Sequence, residues 1–411
     1  MAKRPSHYGE CIAVDQQEGG GSPAVIYPGN GVAVSVLVIA ALFVLTQLYA
    51  AIPLLGPVGI SMGADATFAL STCFSVTYAV GFLIWGPISD RYGRKKVMTA
   101  SIGVLAVATL LCSGASPLPI LAGLRALQGA AASGFAPVAL AYLTEAVVPR
   151  WRARAIGAMS AAFLVAGIFG QVLASTIALR ASWSWFFVAC GVVLAMIFTI
   201  ILFSVVEVPN HTPSMTLLQQ FGNLVGLLFR PEIVLLGIAH ITLLLSFVAL
   251  YTGIGHHLED LHVAASNIIL IRLAALPAMF ISLGAGALAK RIGAIRVAQV
   301  GFGLAAVGML GEAFTDQTIF GVVASSIVYV SGVALSIPSM IMLYGETAAP
   351  HRGSGMAING FVLFVGASIG ALVGKAIGGF GTLTLTLVAL LGIAAISLIT
   401  LGAIQRKDSS S

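Results

Sequence analysis

The chain is poor in charge. Only 8% of its 411 residues are Asp, Glu, Lys or Arg, whereas 59% are hydrophobic, and the mean hydropathy is +1.04. Soluble domains carry about 25% charged residues, so this composition excludes an ordinary soluble domain and indicates an integral membrane protein. At about 20 residues for each spanning helix, the length accommodates a dozen spans.

Other absences narrow the function classes. The four cysteines are far apart in sequence and show no disulfide or metal-ligand spacing, so we expect them to act as small buried hydrophobic residues. No Gly-x-x-x-x-Gly-Lys-Ser/Thr loop is present, which argues against ATP as the energy source. No nucleophile–base pair or carboxylate pair falls within an apolar run, so no enzyme, cofactor or metal is predicted. The basic residues are scattered over short loops, and no nucleic-acid partner is expected.

Twelve apolar runs divide the chain. They lie at about residues 31–54, 67–89, 97–114, 118–142, 155–178, 183–206, 231–254, 264–288, 295–313, 317–344, 355–376 and 381–404. The predicted fold is an all-α membrane protein with twelve transmembrane helices in two pseudo-symmetric six-helix bundles, residues 31–206 and 231–404. Residues 207–230 form the longest polar interruption and are predicted to be a linker whose second half is a surface helix. Residues 1–30, which lack a signal-peptide layout, and 405–411 are predicted to be cytoplasmic tails.

The basic residues predict the orientation. If the N-terminus lies inside, 16 of the 20 Lys and Arg fall on cytoplasmic segments. Arg and Lys near helix ends prefer the cytoplasmic side. Both termini are therefore predicted to be cytoplasmic.

The two halves repeat a short segment. Gly286–Gly293 (GALAKRIG) repeats the pattern of Gly86–Gly93 (GPISDRYG) at an offset of 200 residues. A half-chain repeat is typical of transporters built from two related bundles. The second copy carries Lys290 where the first has Asp90, so the two loops are related without being equivalent.

The loop Gly86–Lys96 is the most charged segment between the spans. Asp90 and the four basic residues that follow it occupy seven positions. Because each such charge costs about 2.5–3.5 kcal/mol in a bilayer core, these side chains must lie in water at a helix end. Asp90 and Arg94 have the spacing of a helical ion pair, and Gly86 and Gly93 permit a tight exit.

Three motifs carry a family resemblance. The loop pattern G-x-x-x-D-R-x-G-R-K-K resembles the signature between helices 2 and 3 of the major facilitator superfamily. Leu124–Gly129 (LRALQG) is similar to a helix-4 motif of its proton-coupled members, and Glu145–Arg154 (EAVVPRWRAR) is similar to the loop that pairs with the first motif. The resemblance covers nearly the whole chain and extends to bacterial drug/metabolite:proton antiporters of the sugar-efflux-like branch. Ala166–Gln171 lacks the proline that antiporters commonly carry in helix 5.

The resemblance implies a function. It implies a secondary active transporter that exports a small neutral or anionic metabolite or drug by alternating access, in exchange for protons. Its expected location is a bacterial inner membrane, as a monomer surrounded by lipid. An uptake symporter or an anion exchanger remains an alternative, and a lipid scramblase or a membrane-embedded enzyme is a more remote one.

The resemblance also implies a conformational latch. In the family, the acid of the loop meets the start of helix 11 in the outward-open state, which corresponds here to the region of Gly353–Gly355. The alternative is that these charges only anchor topology. The predicted latch residues are Gly86, Asp90, Arg91, Gly93, Arg94, Glu145 and Arg152.

A few ionisable residues fall within the predicted spans. Arg125 is either a structural residue bonded to carbonyls, an anion site or a proton-coupling group. Arg272 either extends to the interface or serves transport, and His240 either titrates near neutral pH or stays neutral and hydrogen-bonded. Other candidates for cavity-lining or interhelical polar contacts include Gln47, Tyr49, Tyr78, Gln128, Gln171, Tyr251, Tyr329 and Asn359.

The positions of the acidic residues relative to the spans indicate a class of substrate. No Asp or Glu falls at the middle of a predicted span, and Glu312 lies near an outer end. Exporters of organic cations typically hold a buried acid. The cavity is therefore predicted to favour neutral or anionic molecules over cations.

Overall fold

The structure, a computed structural model, describes residues 30–207, 217–260, 263–349 and 352–408. Within these ranges the chain forms helices and no strand. Twelve of the helical segments are long and apolar enough to cross a membrane. The predicted all-α membrane fold is confirmed.

The helices of the first half form spans 1 to 6. Span 1 is Asn30–Tyr49, continued by Ala51–Met62; span 2 is a π-helical turn, Phe68–Thr72, followed by Cys73–Tyr92; span 3 is Arg94–Cys112; span 4 is Leu118–Ala132 and Ala136–Ala146; span 5 is Pro149–Arg180; and span 6 is Trp183–Ser204.

The linker helix and spans 7 to 12 follow. The linker helix is Leu217–Leu228; span 7 is Pro231–Asp260; span 8 is Ala265–Ala274, Leu276–Met279 and Ser282–Ile292; span 9 is Ala294–Thr315; span 10 is Ile319–Thr347; span 11 is Arg352–Ala376; and span 12 is Phe380–Asp408.

Each half packs mainly on itself. Span 1 packs on span 5, span 2 on span 4 and span 3 on span 6, while in the second half span 7 packs on span 11 and span 9 on span 10. The halves meet mainly along two pairs of spans, 2 with 11 and 5 with 8, and to a smaller extent where span 1 meets span 7.

Small residues allow a close contact between spans 7 and 11. Three glycines at four-residue spacing on span 11 face the backbone of span 7, where an added Cβ would crowd the carbonyl oxygens of the opposite helix. In lipid, helix association depends on such close packing, because burial of apolar surface gives little gain. The glycines are Gly366, Gly370 and Gly374, facing Ile241, Leu245 and Ala249.

Several predicted spans are interrupted. Span 1 breaks at Ala50, span 2 begins with a π-helical turn, and span 4 breaks between Ala132 and Ala136. Hydropathy alone predicts continuous runs at these places. At an interruption, backbone N–H and C=O groups lose their helical hydrogen-bond partners, so other parts of the protein must bond to them. Polar residues described below make such hydrogen bonds.

The linker helix lies against both halves. It packs on spans 2 and 11, with Leu224 and Leu227 buried and Val225 and Phe229 exposed. A helix is therefore present in the second half of the predicted linker, and its position along a membrane surface stays a prediction. Residues 208–216, which belong to the same predicted linker, lie outside the described residues.

Candidate functional site

The charged loop is held by an ion pair. Arg94 donates from Nη2 to Glu145 Oε1 at 2.9 Å and from Nε to Glu145 Oε2 at 3.4 Å, and from Nη1 to Ser89 Oγ at 2.6 Å. This arrangement joins the start of span 3 to the end of span 4. The side chains of Asp90 and Arg152 lie outside the described residues, so their roles in a latch stay predictions.

The other residues predicted for a latch lie on the same loop or at the end of span 2. The Arg91 guanidinium lies 5.9 Å from the centre of the neighbouring Tyr92 ring. Gly86 lies in the last turns of span 2, where an added Cβ would meet nothing within 4 Å. Gly93 separates spans 2 and 3, with φ of +104°.

Glu207, which the sequence did not single out, fixes the same loop. Its carboxylate accepts hydrogen bonds from the backbone N–H groups of Lys95 at 3.0 Å and Lys96 at 3.3 Å. It thereby caps the N-terminus of span 3, where negative charge is stabilised. An added Cβ on Gly93 would lie 2.8 Å from Glu207 Oε2. The position of Glu207, directly after span 6, is the signal that could have found it.

Arg125 donates one hydrogen bond from each of its three nitrogen atoms. The side chain is 1% exposed. Its Nε donates to Leu70 O at 2.8 Å, Nη2 to Gln47 O at 2.9 Å and Nη1 to Gln128 Oε1 at 2.9 Å. Leu70 lies in the π-helical turn of span 2 and Gln47 lies just before the break of span 1. Arg125 thus binds backbone oxygens at two helix irregularities.

The Arg125 network includes spans 1 to 4. Gln128 donates from Nε2 to Thr109 Oγ1 at 2.7 Å and accepts from Cys112 Sγ at 3.4 Å. The Phe74 ring lies 4.4 Å from the Arg125 guanidinium carbon, within the range of a cation–π contact. Of the three interpretations of Arg125, this geometry favours the structural one.

A small cavity lies between the halves. Its volume is about 10 Å³, room for about one water molecule. Tyr49 of span 1 and Phe247 of span 7 meet there edge to face, with ring centroids 5.7 Å apart. No charged side chain is among the described residues that line it. The lining residues are Tyr49, Leu164, Gly167, Leu244, Phe247, Met279, Val330, Val333 and Ile337.

The other predicted polar candidates lie around this cavity without lining it. Gln171 donates from Nε2 to Gly167 O at 2.7 Å, directly behind the cavity wall. Gln47 donates to Phe43 O at 3.3 Å on its own helix. Tyr329 OH and Ser246 Oγ are 2.7 Å apart in the second half.

Three further candidates, on spans 2, 7 and 11, are buried where helices pack against each other. Tyr78 packs against Phe364 across the halves, with ring centroids 4.3 Å apart, and Asn359 is buried. His240 is buried beside Tyr344, 5.6 Å between ring centroids. Neither ring nitrogen of His240 has a hydrogen-bond partner among the described residues.

Arg272 connects the two halves. Its Nη1 donates to Ser175 Oγ of span 5 at 3.0 Å, and the side chain is 5% exposed. The alternative in which Arg272 extends to the interface does not match this burial. The contact lies at the end of the molecule opposite to the Gly86–Lys96 loop.

The sequence places Glu312 near the outer end of a span and offers no buried acid, but Glu312 is buried. The sequence argument against organic cations, which depended on the lack of a buried acid, therefore does not hold. The Glu312 side chain is 0% exposed, and its Oε1 accepts a hydrogen bond of 2.6 Å from Ser326 Oγ. Gly308 and Gly311, on the same face of span 9, let span 10 approach closely and cover the acid. That glycine spacing beside Glu312 is the sequence signal for its burial.

An ion pair also crosses the halves at this end. Asp65, in the segment between spans 1 and 2, binds Lys375 near the end of span 11. Its hydrogen bond to Lys375, together with those from Thr67, lowers the pKa of Asp65 to about 2. Both side chains are about half exposed, so the pair holds the surface of the contact rather than its interior.

The Asp65–Lys375 pair is expected to be insensitive to pH between 5 and 8. A lowered pKa gives stability that is present above the unfolded value and is lost only as pH falls towards 2. Because exposed pairs contribute about 0–1 kcal/mol, Asp65→Asn should lower the thermal midpoint slightly and equally at pH 5, 6.5 and 8. A difference between wild type and variant that shrinks towards pH 5 would contradict this.

The comparisons with known proteins agree on one family. The sequence profile described as Major Facilitator Superfamily matches residues 37–371. An uncharacterized transporter of Buchnera aphidicola (from Schizaphis graminum) is 26% identical over 308 residues, 74% of each chain. The inner membrane transport protein YnfM of Escherichia coli K12 is 27% identical over 242 residues, 56% of each chain.

A solved structure shows the same fold. The human organic anion transporter MFSD10 (TETRAN) superposes with a TM-score of 0.70, covering 90% of this chain and 100% of that chain. At 15% sequence identity, this similarity concerns the fold alone.

Proposed function

Because the chain belongs to the major facilitator superfamily and is a membrane transporter of that type, we propose that it exports a small uncharged organic molecule in exchange for protons. Its relatives are named as transporters, which points away from an enzyme. The proposal concerns the direction, the coupling ion and the substrate class.

The cavity between the halves is the observation that carries the proposal. Both halves contribute to it, and its described lining is apolar apart from the Tyr49 hydroxyl. The cavity has room for about one water molecule in this conformation, so a substrate would enter only after the halves separate, and the apolar lining would then suit a neutral ligand. Arg125 donates to backbone and side-chain oxygens outside this lining, which favours a neutral ligand over an anionic one.

Contacts at both ends support alternating access. Arg272–Ser175 and Asp65–Lys375 join the halves at one end, while Tyr78 and Phe82 pack on Phe364 further towards the loop end. In this family of mechanisms, one bundle rocks against the other around a central site. The contacts on the two sides of the cavity would break and re-form in turn.

The proposed setting is a bacterial inner membrane. The chain is a multi-pass membrane protein with bacterial relatives. The distribution of basic residues supports cytoplasmic termini, and in that orientation the Gly86–Lys96 loop would face the cytoplasm and the Arg272–Ser175 contact would face the outside. A single chain lines the cavity, which supports the proposal that the transporter is a monomer.

An anion exchanger or uptake symporter is the second candidate. Arg272 supports it, because a buried guanidinium at the contact between the halves can attract an anion. A fold neighbour is named an organic anion transporter. The assay below distinguishes these functions by the charge of the transported probe and the direction of proton movement.

The test is transport into proteoliposomes with an imposed pH gradient. Radiolabelled chloramphenicol, p-aminohippurate and tetraphenylphosphonium serve as neutral, anionic and cationic probes. We expect an acidic interior to drive accumulation of the neutral probe. Accumulation of the cation alone, or no response of any probe to the gradient, would contradict the proposal.

Gly167→Val is expected to lower the initial rate of transport at least about tenfold. An added Cβ there would lie 3.3 Å from Phe247 Cζ and 3.5 Å from Met279 Cε, so valine fills the cavity with two further methyl groups. The measurement is the initial rate of pH-driven uptake at equal protein content. Gly157→Val on the same span is the matched control, because an added Cβ at Gly157 meets nothing within 4 Å. Equal rates for the two variants would exclude this cavity as the path.

A further inference from the structure

Two neighbouring polar rings of the second half are buried without hydrogen bonds. Among the described residues, neither ring nitrogen of His240 on span 7 has a hydrogen-bond partner, and neither has the hydroxyl of Tyr344 on span 10. Both side chains are 0% exposed, and their ring centroids are 5.6 Å apart. Most buried polar groups in proteins are hydrogen-bonded, so two adjacent rings that are not indicate a place where a hydrogen-bonding molecule binds.

The two rings lie on the faces of spans 7 and 10 that line the central cavity. Leu244 and Phe247 line it from span 7, and His240 precedes them by four and seven residues, the spacing of one helix face. Ile337 lines it from span 10, and Tyr344 follows by seven residues. Span 7 begins and span 10 ends at the end of the molecule that carries the charged loop between spans 2 and 3. The rings therefore extend the cavity lining towards that end, which we call the loop end.

The directions of the two helices explain why the rings meet. In an α-helix the Cα–Cβ bond is tilted towards the N-terminus. Span 7 starts at the loop end and span 10 finishes there, so His240 leans towards the loop end and Tyr344 leans back towards the cavity. Gly237, one turn before His240, leaves room for the tyrosine, because an added Cβ would lie 3.8 Å from the Tyr344 hydroxyl oxygen.

The chemistry of the pair suits a neutral polar group. An imidazolium without a partner is strongly disfavoured in such an interior, so His240 is neutral and offers one donor and one acceptor. The Tyr344 hydroxyl can also donate and accept. Hydroxyl and amide groups match this set, because they are neutral and contain both donors and acceptors. An ion would gain no opposite charge from either ring, which makes its transfer from water costly.

We propose that His240 and Tyr344 bind a hydroxyl or amide group of the transported molecule, while its apolar part occupies the central cavity. The step from His240 to Leu244 along span 7 is about 6 Å, so the substrate is a neutral molecule with a polar group about that far from an apolar body. The site is uncovered when the first half moves away at the loop end, where Tyr78 and Phe82 now pack on span 11. This inference rests on the proposed function, since it uses the same cavity.

The test compares the stability of the protein with its affinity for a ligand. Replacing a buried, unpartnered polar group by an apolar one of similar shape is neutral or stabilising, whereas loss of a hydrogen bond to a ligand weakens binding. Without ligand, Tyr344→Phe and His240→Leu should therefore keep or raise the thermal midpoint of the purified full-length protein. The dissociation constant of radiolabelled chloramphenicol, which carries hydroxyl and amide groups, should rise about fivefold in each variant, the effect of one hydrogen bond.

Two comparisons make the result specific. Tyr329→Phe removes a buried hydroxyl of the same span that has a partner, Ser246 Oγ at 2.7 Å, so this variant should lower the thermal midpoint. The diacetyl ester of chloramphenicol lacks the hydroxyl donors and should bind the wild type more weakly than chloramphenicol does. That preference for the free hydroxyl groups should be lost when Tyr344→Phe and His240→Leu are combined.

The outcomes distinguish this inference from the proposed function. A thermal midpoint that falls in Tyr344→Phe as far as in Tyr329→Phe, with unchanged affinity for chloramphenicol, would show a structural hydroxyl or a bound water only and would overturn the assignment. Wild-type protein that does not bind chloramphenicol, or a combined variant that keeps the preference for free hydroxyl groups, would also overturn it. If the expected binding changes are seen but a pH gradient drives no uptake, the proposed exchange with protons fails and the assignment stands.

Discussion

Arg125→Leu is expected to destabilise the first half by several kcal/mol and to prevent its recovery as a folded protein. The change removes the Arg125 donor from Leu70 O and Gln47 O and leaves Gln128 Oε1 with the weak Cys112 thiol donor alone. Each unsatisfied buried acceptor costs about 1–3 kcal/mol. Because two of them are backbone oxygens at helix irregularities, the bent ends of spans 1 and 2 would lose the side chain that stabilises them.

Two further variants make the Arg125 result specific. Arg125→Lys keeps the charge, but an ammonium group cannot reproduce the planar set of guanidinium donors, so an intermediate loss is expected. Arg180→Leu, at an exposed helix end, is the control for removing an arginine and should have little effect. The measurements are the yield of monodisperse protein and the thermal midpoint. A stable Arg125→Leu protein that fails only in transport would contradict the structural role.

Gly93→Ala is the second change with a large expected effect. Gly93 has φ of +104° and ψ of 141°, a conformation that is essentially restricted to glycine and costs other residues about 1–3 kcal/mol. The new Cβ also displaces the Glu207 carboxylate from the N-terminus of span 3, and loss of such a cap costs about 0.5–2 kcal/mol. The two effects together should markedly reduce stability and transport.

The internal repeat supplies a matched control for Gly93. Gly293 has nearly the same backbone, with φ of +88° and ψ of 145°, yet an added Cβ there meets nothing within 4 Å. Lys407 stands 200 residues after Glu207, so the second half lacks the corresponding acid. Gly293→Ala should show the backbone cost alone.

A double-mutant comparison of unfolding free energies isolates the cap. In a Glu207→Ala background, Gly93→Ala should cost no more than Gly293→Ala does. If Gly93→Ala is as mild as Gly293→Ala in the native background, the Glu207 contact contributes nothing to the loop.

Hydropathy predicts the spans because a helix that lies in lipid consists of apolar residues that follow one another in the sequence. The twelve apolar runs and the Gly86–Lys96 loop are therefore visible in the sequence. The break at Ala50 and the π-helical turn at Phe68–Thr72 are not, because the donor that stabilises them, Arg125, lies more than fifty residues further along the chain. The sequence left three interpretations of Arg125 open for the same reason.

The two missed acids show a related difficulty. Glu207 lies next to a polar linker, and only folding brings it to the N–H groups of Lys95 and Lys96. Glu312 lies near a helix end, where solvent exposure is the ordinary expectation, yet close packing of span 10 buries it. The position of Glu312 along span 9 did not predict its burial, because the neighbouring span 10 covers the side chain.

The most direct test of proton-coupled export through the central cavity is the pH inside proteoliposomes, reported by trapped pyranine. When chloramphenicol is added outside vesicles at equal pH, antiport moves protons outwards, so the interior should become alkaline with wild type and remain unchanged with Gly167→Val. An unchanged wild-type pH with chloramphenicol, p-aminohippurate and tetraphenylphosphonium, or an acidified interior, would contradict the account.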